Sequence, residues 1–339
     1  MKIAIHEREG SFSERWIIYC NEKSIPYKIV NVFNTNIIDQ ISDCNILIWH
    51  HTHDIYRDKL LAKQLLFSLQ ISGKSVFPDF NTSFFFDDKV GQKYLLEAND
   101  IPHVPTYIFY TKKNALEWIN KAKFPKVFKL RGGAGSSNVK LLKLKKEAVK
   151  YAKRAFGKGF QQYNTWEFFI DSCFNYVNGE SSIKLVLFRL YKFLTTTLAW
   201  QIFPIEKGYF YLQDFIPNNN FDVRVVVIGN KAFAIKRMNR ENDFRASGSG
   251  KIIYKKDEID EQCIKISFDA NKKIKSQCIA FDFVFDLNNK PLIIEMSFGF
   301  TPSAYDKCSG YWDSEMNWFE GRFKPYRWII NNLISSKNA

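Results

Sequence analysis

Two acidic residues stand in a segment that reads as a β-hairpin, AFDFVFDLNNKPLIIEMSF at residues 280–298. If the turn centres on the Asn-Asn dipeptide at 288–289, Asp282 lies directly opposite Glu295. Because side chains alternate between the two faces of a strand, Asp282, Glu295 and Ser297 share one face. The opposite face is then predicted to be apolar and to carry Phe281, Phe283, Phe285, Leu292, Ile294, Met296 and Phe298.

The facing carboxylates predict a site for a divalent cation. Opposing side chains on paired strands have Cβ atoms about 5 Å apart, and two like charges so placed destabilise the hairpin. Mg²⁺ would offset this repulsion, because it is typically held by one or two carboxylates together with phosphate oxygens. Replacing Asp282 or Glu295 by its amide is then expected to leave the fold intact. The alternative is an ordinary hairpin whose polar face is solvated.

A glycine- and serine-rich loop follows a strand in KVFKLRGGAGSSNV at residues 126–139. Small residues let the backbone approach a phosphate and direct N–H groups toward it, and Lys129 on the incoming strand would add a positive charge. A flexible hairpin loop is the alternative, because a strand follows where the standard phosphate-binding motifs need a helix. Arg245, in the small-residue segment NDFRASGSG, is likewise suited to an anion. The loop residues considered are Gly132, Gly133, Gly135, Ser136 and Ser137.

A second hairpin, DVRVVVIGNKAFAIKR at residues 222–237, pairs Asp222 with Arg237 around a glycine–asparagine turn. One interpretation is a cross-strand salt bridge, which contributes little if it is exposed. The other is an edge that contacts the ribose and phosphates of a nucleotide, with charge from Arg224, Lys236 or Arg237.

The elements around these segments predict an α/β chain. The first 80 residues alternate strand-length apolar runs, at 2–6, 27–33 and 45–50, with helical segments. This βαβ pattern implies a parallel sheet with right-handed crossovers. Residues 157–208 are treated as an insertion, and strands dominate after them. Further predicted elements are helices at 56–72, 87–99, 114–121 and 145–156 and strands at 106–110, 126–131 and 139–144.

Three histidines, His50, His51 and His53, follow the third predicted strand at its carboxyl end, where open α/β sheets bind ligands. Strand geometry would turn His50 and His51 to opposite faces, so a substrate contact or a plain loop is favoured over a metal site. The aromatic residues of the tail at 299–328 either line the binding site of an acceptor substrate such as a sugar or form part of the hydrophobic core.

Composition and charge set limits on the class of protein. The chain has 339 residues and a formal net charge of +14, which favours a solvated basic surface over a nucleic-acid interface. Six scattered cysteines without a C-x-x-C pair argue against a zinc site or a disulfide framework and for the reducing cytoplasm. The N-terminus lacks the apolar core of a signal peptide. The apolar stretch at 193–205 is too short to span a membrane; it is predicted to be buried, with a membrane-surface position as the alternative.

Taken in order, the segments resemble the ATP-grasp superfamily, and most of all its carboxylate–amine ligases, such as the glutamate ligases that modify a ribosomal protein. The resemblance covers residues 87–298. DDKVGQKYLLEANDIPHVPT resembles the segment whose lysine reaches the nucleotide from the adenine side, which nominates Lys89. VFKLRGGAGSSNV resembles the strand lysine and mobile phosphate loop, which nominates Lys129 and residues 132–137.

The same resemblance extends to the nucleotide contacts. YLQDFIP at 211–217 resembles the hinge that binds adenine through backbone groups, and the second hairpin resembles the segment that bears a ribose-contacting acid and cationic residues. The implied contacts are Gln213, Asp214, Phe215 and Ile216 in the hinge, Asp222 at the ribose, and Arg224, Lys236, Arg237 and Arg245 as cations.

The last hairpin resembles the metal-binding strands of the family, with Asp282 and Glu295 as magnesium ligands. The family's last strand ordinarily reads Glu-x-Asn, whereas here Ser297 takes the place of the asparagine. A serine oxygen can ligate a metal or hold a water, so Ser297 is kept as a third ligand. The change leaves open how many metal ions bind.

The resemblance implies an α/β (α+β) ATP-grasp fold. A Rossmann-like βαβ domain at 1–80, which precedes the ATP-grasp lobes in this family, would be followed by two α+β lobes, at 81–208 and 209–339, that clamp the nucleotide. The implied enzyme is a ligase in which ATP activates a carboxylate as an acyl phosphate and an amine then displaces phosphate. Lys129 and Arg245 would be catalytic.

The implied cofactors are ATP and Mg²⁺, with Mn²⁺ as an alternative ion. The partners are a carboxylate and an amine small molecule, with a sugar-linked or amino-acid substrate as options. The alternative functions are a kinase-like ATP-grasp phosphotransferase and a degenerate nucleotide-binding module without ligase activity. Nucleic acid is disfavoured, and a peripheral membrane contact and a homo-oligomer stay open.

Overall fold

The described residues of the computed structural model pack as two compact units. The first comprises Met1–Val104 and the described residues from Ile216 onward, and the second comprises the described residues of Pro105–Phe215. The predicted domain boundaries at 80 and 208 stay predictions. The structure describes residues 1–133, 138–162, 169–170, 172–173, 176, 182–195, 203–239 and 251–338, with the backbone alone for 192–195 and 337–338.

A four-stranded parallel sheet opens the first unit and confirms the predicted βαβ pattern. Helices connect its strands because parallel neighbours need a long crossover. The first helix begins after Ser11, whose hydroxyl accepts a hydrogen bond from the N–H of Ser13. The elements are β1 (Ile3–His6), α1 (Phe12–Glu22), β2 (Tyr27–Val30), α2 (Ile37–Gln40), β3 (Ile46–Ile48), α3 (Tyr56–Ile71) and β4 (Ser75–Phe77), with strand order β2-β1-β3-β4.

Two further helices of the first unit follow β4, namely α4 (Phe80–Phe84) and α5 (Lys89–Ala98). The carboxylate of Asp88 caps α5 by accepting a hydrogen bond from the N–H of Gly91. Lys89, Gln92 and Leu96 are buried at helical spacing, so one face of α5 is turned toward the interior.

The second unit is built on a four-stranded antiparallel sheet of order β5-β10-β6-β7. Phe128, Phe210 and Leu212 on its strands pack against Ala115 and Ala148 from two helices. The elements are β5 (Thr106–Phe109), α6 (Lys112–Lys121), β6 (Lys126–Lys129), β7 (Val139–Leu142), α7 (Lys145–Ala155), β8 (Phe160–Gln161), α8 (Ile183–Thr195), β9 (Ile205–Glu206) and β10 (Phe210–Asp214). The predicted strand–loop–strand around Lys129 is confirmed, because β6 pairs with β7.

The apolar stretch at 193–205 is only partly buried where it is described. Phe203 is 4% exposed, as predicted, whereas Ile205 is 52% exposed. The burial prediction is therefore wrong for Ile205, which lies on a two-residue strand paired only with β8.

A seven-stranded antiparallel sheet completes the first unit. Its strands are β11 (Phe221–Ile228), β12 (Lys231–Met238), β13 (Ile252–Ile253), β14 (Cys278–Phe285), β15 (Pro291–Ser297), β16 (Gly310–Asp313) and β17 (Trp318–Glu320), with order β15-β14-β11-β12-β16-β17 and β13 paired to β12. The helices in this part are α9 (Glu261–Ile274) and α10 (Pro325–Asn338), and the 3-10 turns are Lys256–Glu258 and Pro302–Tyr305. Both hairpins expected from the sequence are present.

This sheet is apolar on both faces over most of its length. On β11, Val226 and Ile228 pack in a core shared with Ile3 and Ile46 of the parallel sheet. Val225 points the other way, into a second core with residues of α9. A strand buried on both faces reads as a continuous apolar run, which explains the sequence VVVI.

The aromatic tail is part of the core at several positions. Phe300, Tyr305 and Tyr326 are buried in the core shared with the parallel sheet, and Trp312 is buried in the second core. These residues therefore form part of the hydrophobic core, as one of the two interpretations predicted. The other interpretation, that they line a binding site for a sugar, is wrong for them, because their rings are enclosed by other apolar side chains.

Candidate active site

The structure confirms that Asp282 and Glu295 face each other across β14 and β15. The turn is one residue longer than expected: the N–H of Asp286 donates to the carbonyl of Lys290 (3.0 Å), and Asn289 adopts a left-handed conformation with φ of 57°. A register shift between Asp282 and Phe283 compensates for the extra residue.

The register shift changes which side chains reach the core. Phe283 opposes Ile293, which is fully buried, whereas Leu292 and Ile294 are half-buried, so their predicted place on the apolar face is wrong. Phe298 is buried in the core next to the parallel sheet rather than beside Phe281, because β15 ends at Ser297 and strand alternation ends with it.

Protein cations surround the two carboxylates. Asp282 Oδ2 lies 3.2 Å from Arg224 Nη1 and 2.9 Å from Arg237 Nη2, and Lys89 Nζ lies 3.1 Å from Glu295 Oε1. These cations offset the repulsion between the carboxylates. The fold therefore does not require a divalent ion for this purpose, and the argument that one is needed to offset the charges is wrong, although the metal-ligand roles stay predictions.

Asp222 and Arg237 form the predicted cross-strand pair. Arg237 Nε donates to Asp222 Oδ1 (2.7 Å), and Asp222 is 1% exposed, so this is a buried ion pair and not a surface one. Arg237 thus contacts both Asp222 and Asp282 and links β11, β12 and β14 on one face of the sheet.

Arg237 and Lys89 both keep their positive charge beside the carboxylates. Burial alone lowers the pKa of Arg237, but the carboxylates of Asp282 and Asp222 more than offset it, so the pKa is raised. Burial likewise lowers the pKa of Lys89, and Glu295 and Asp87 reverse the effect, which leaves its pKa raised as well.

The donor set fits a magnesium ion held together with phosphate oxygens. Asp282 Oδ1 is buried and has no hydrogen-bond partner in the described part of the chain, while Glu295 is 35% exposed. One or two carboxylates plus phosphate oxygens and waters are the usual ligands of Mg²⁺ in nucleotide sites. The described residues contain no group of three or more His, Cys, Asp or Glu side chains that could hold a metal by themselves.

Ser297 lies beside Glu295 on the same face, but its hydroxyl is engaged locally. Ser297 Oγ donates to the carbonyl of Gly299 and accepts from the N–H of Gly299, both at 3.1 Å. A ligand role for Ser297 would require these bonds to rearrange.

Lys236 lies on the opposite face of β12 from Arg237. Its Nζ is 2.7 Å from Glu258 Oε2 and 4.1 Å from the centre of the Phe221 ring. Because neighbouring residues of a strand point to opposite faces, Lys236 is not part of the cluster around Asp282.

The second unit carries the strand lysine and residues 213–215 of the predicted hinge, whose last residue, Ile216, belongs to the first unit. Lys129 is 7% exposed at the end of β6. Gln213 Nε2 donates to Thr106 Oγ1 (3.1 Å), and Asp214 Oδ1 accepts from Lys126 Nζ (2.5 Å). Phe215 and Ile216 are half-buried and follow directly after β10.

Only the first part of the predicted phosphate loop is described. Gly132 and Gly133 are buried, and Gly133 has a φ of 110°, which favours glycine over any residue with a side chain. The predicted site residues Gly135, Ser136, Ser137 and Arg245 lie outside the described residues.

The histidine cluster packs internally. The ring of His51 is 4% exposed and makes edge contacts with Trp49, Phe86 and Phe298, while His50 stacks on Phe12 at 3.8 Å. His50 also contacts Phe298. The strand β3 already ends at Ile48, so the two histidines lie in the loop that follows it.

Gln92 is a positioning residue that sequence reasoning missed. Its Nε2 donates to the carbonyls of Phe85 (2.9 Å) and Met296 (2.8 Å), and its Oε1 accepts from the N–H of Met296 (3.1 Å). β15 is the last strand on this side of the sheet, and Gln92 satisfies backbone groups that another strand would otherwise bind. The sequence does indicate one relation: Gln92 lies three residues after Lys89, on the same face of the predicted helix.

Comparisons with known proteins give a family-model match to part of the chain and a fold for the whole of it. Residues 161–309 match the family model of the RimK-like ATP-grasp domain. No match was found among curated protein sequences.

Several solved structures are similar over the whole chain. N5-carboxyaminoimidazole ribonucleotide synthetase from Thermotoga maritima has 12% identity and a TM-score of 0.60, covering 98% of this chain and 75% of the other. D-alanine–D-alanine ligase from Bacillus anthracis, complexed with ATP, has 12% identity and a TM-score of 0.56, with 100% and 98% covered. An ATP-grasp RimK domain protein from Sphaerobacter thermophilus has 13% identity and a TM-score of 0.54, with 99% and 100% covered.

Proposed function

The chain has the ATP-grasp fold, and we propose that it is an ATP-dependent ligase that joins a carboxylate to an amine. The observation that carries the proposal is the pair Asp282 and Glu295, facing each other beside Arg224, Arg237 and Lys89. Two of the similar structures are named as a synthetase and a ligase, which supports this choice of reaction.

The proposed reaction has two steps. An oxygen of the substrate carboxylate attacks the γ-phosphorus of ATP, so that the bond to the β,γ-bridging oxygen breaks and ADP leaves. The amine nitrogen then attacks the resulting acyl phosphate, the acyl–oxygen bond breaks with loss of phosphate, and the nitrogen loses a proton. Phosphoryl transfer depends chiefly on positioning and charge neutralisation, which is what the cluster provides.

Asp282 and Glu295 would hold the magnesium ion. When bound, this ion neutralises phosphate charge and orients the triphosphate. The Oδ1 atom of Asp282 is available for this role because Oδ2 is held by Arg224 and Arg237. The two arginines thus fix the orientation of the carboxylate.

The remaining cations would act on the phosphates. Lys129 is a buried point charge at the end of β6, next to the glycine loop, and is proposed to contact the phosphates. Arg245 is proposed to stabilise the oxyanion of the second step. The hinge at 213–216 is proposed to bind adenine through its backbone.

A nucleotide-binding module without turnover is the second candidate. One observation favours it: the hydroxyl of Ser297, where the family has asparagine, is bonded to Gly299 in its own chain segment. The two functions differ in whether ADP is released. A cytoplasmic location stays a prediction, and the identity of the substrates and a homo-oligomer stay open.

The test is ADP release from Mg·ATP with a panel of amino acids and uronic acids as carboxylates and of amino acids and amino sugars as amines. We expect release to require one carboxylate and one amine together. Glu295→Gln should lower this rate by at least about 100-fold, which corresponds to about 2.7 kcal/mol of lost transition-state stabilisation. The thermal midpoint should change little, because Glu295 is 35% exposed.

Glu22→Gln is the matched control. Glu22 is similarly exposed, at 41%, and is also paired with a cation, Arg327, but it lies on α1 outside the cluster. It should keep full activity. ADP release with a single acceptor would indicate a phosphotransferase, and tight binding of Mg·ATP without ADP release would indicate a binding module; either result would overturn the ligase assignment.

A further inference from the structure

Helix α8 of the second unit presents large apolar side chains to solvent. The exposed fraction of the side chain is 47% at Ile183, 57% at Leu187 and 62% at Tyr191. Single exposed apolar residues are ordinary, but several on one 13-residue helix form a contiguous surface. This α8 apolar surface consists of Ile183, Leu185, Leu187, Phe188 and Tyr191.

The exposed side of α8 combines apolar residues with a lysine. Ile183, Leu187 and Tyr191 follow the spacing i, i+4, i+8, which places them in a line along the helix, and Lys184 and Phe188 lie beside this line. Val186 and Leu190 are half-buried on the other side. The charged residues of the helix are all cationic, namely Lys184, Arg189 and Lys192. No acidic residue occurs between 183 and 195.

The charge of the chain is concentrated in the segment that contains this helix. Residues 105–215 hold 19 Lys and Arg against 7 Asp and Glu, a formal charge of +12 out of the chain's +14. The second unit therefore attracts anionic surfaces, whereas the rest of the chain is nearly neutral.

We propose that α8 docks this chain onto an anionic lipid bilayer, with the α8 apolar surface in the headgroup region and Lys184 on the lipid phosphates. A helix whose exposed side is rich in apolar residues and whose charged residues are all cationic is suited to binding in the plane of the interface, because a lysine stem can lie along the apolar surface while its ammonium group reaches a phosphate. At about 20 Å a 13-residue helix is shorter than a bilayer core. Among the described residues, no helix combines the length and apolar character needed to cross a membrane.

The lipid surface is favoured over two other occupants. A second copy of α8 would bring cations against cations, with no acidic residue in the helix to pair with them. A nucleic acid would satisfy the charge but would leave the apolar side chains exposed to water. This inference does not rest on the proposed ligase activity.

The test is cosedimentation of the full chain with vesicles of phosphatidylcholine alone and with vesicles that contain one quarter phosphatidylglycerol. We expect binding to the anionic vesicles only, weakened by salt. Lys184→Gln should weaken it about five-fold, the effect of one basic residue at a charged surface. Leu187→Gln should weaken it about ten-fold, because one apolar side chain no longer enters the lipid.

Leu60→Gln is the matched control, since Leu60 is 61% exposed on α3 in the other unit. It should bind vesicles like the unaltered chain, and all variants should share its thermal midpoint. Equal binding to both vesicle types, or no effect of Leu187→Gln, would overturn the proposal. So would binding to duplex DNA but not to vesicles, or a dimer in gel filtration that Leu187→Gln dissociates.

Discussion

At the scale of single residues, the site is an arrangement of charges in which each carboxylate has a protein cation beside it. Arg224 and Arg237 are half-buried against Asp282, and Lys89 is buried against Glu295. The carboxylates therefore balance positive charge in addition to any role with a metal. For Asp282 this reverses the expectation that removing the carboxylate relieves repulsion at no cost to the fold.

Asp282→Asn should lower the free energy of unfolding by about 2–3 kcal/mol. The amide cannot balance the two half-buried guanidinium groups beside the buried position 282, and breaking such an ion pair from one side is costly. The measurement is urea unfolding followed by circular dichroism. Glu295→Gln is the comparison and should change stability by less than about 1 kcal/mol, because its site is partly solvated. Equal stability of the Asp282 variant and the unaltered chain would contradict this account.

At the scale of elements, the position of β15 is fixed from outside the sheet by helix α5. The side chain of Gln92 on α5 forms hydrogen bonds with both the N–H and the carbonyl of Met296, as a neighbouring strand would. Met296 lies between Glu295 and Ser297. The same helix supplies Lys89 to Glu295. α5 therefore sets both the backbone and the charge on the outer side of the proposed metal-binding strand.

Gln92→Leu should lower the free energy of unfolding by roughly 2–5 kcal/mol, because it leaves the N–H and the carbonyl of Met296 unpaired in the interior. It should also weaken Mg·ATP binding, measured by calorimetry, through displacement of Glu295. Gln262→Leu is the control, since Gln262 is exposed at the start of α9. If Gln92→Leu left both quantities at their original values, the positioning role would be wrong.

At the scale of the whole molecule, the core of the first unit encloses titratable side chains. Burial, the largest influence, lowers the pKa of His51 from its ordinary value of 6.5 to about 3, and burial also lowers the pKa of His50. The folded chain therefore excludes protons that the unfolded chain binds. Its stability should be complete above about pH 6.5 and should fall as the pH drops from there toward 3.

His51→Phe should make this loss of stability shallower, by up to about 1.4 kcal/mol per pH unit between pH 6.5 and 3. Phenylalanine keeps the aromatic contacts, and the buried Nε2 of His51 has no hydrogen-bond partner in the described residues to lose. The measurement is the urea midpoint at a series of pH values for both chains. Parallel pH profiles of the two chains would show that His51 does not exclude a proton.

The sequence by itself determined the local features: the βαβ start, the strand before the glycine loop, and the opposition of Asp282 to Glu295. These features follow from hydrophobic periodicity and turn-forming residues within short, continuous segments of the sequence. The longer turn and the compensating register shift escaped prediction, because several turn types fit the same asparagine-rich segment.

Only the tertiary structure decided which groups meet. It brought Arg224 and Arg237 from the neighbouring hairpin to Asp282 and brought Glu258 to Lys236. It also brought α5, some 200 residues earlier in the chain, against Glu295 and Met296. Contacts at such separations depend on how layers pack, and no spacing in the sequence encodes them.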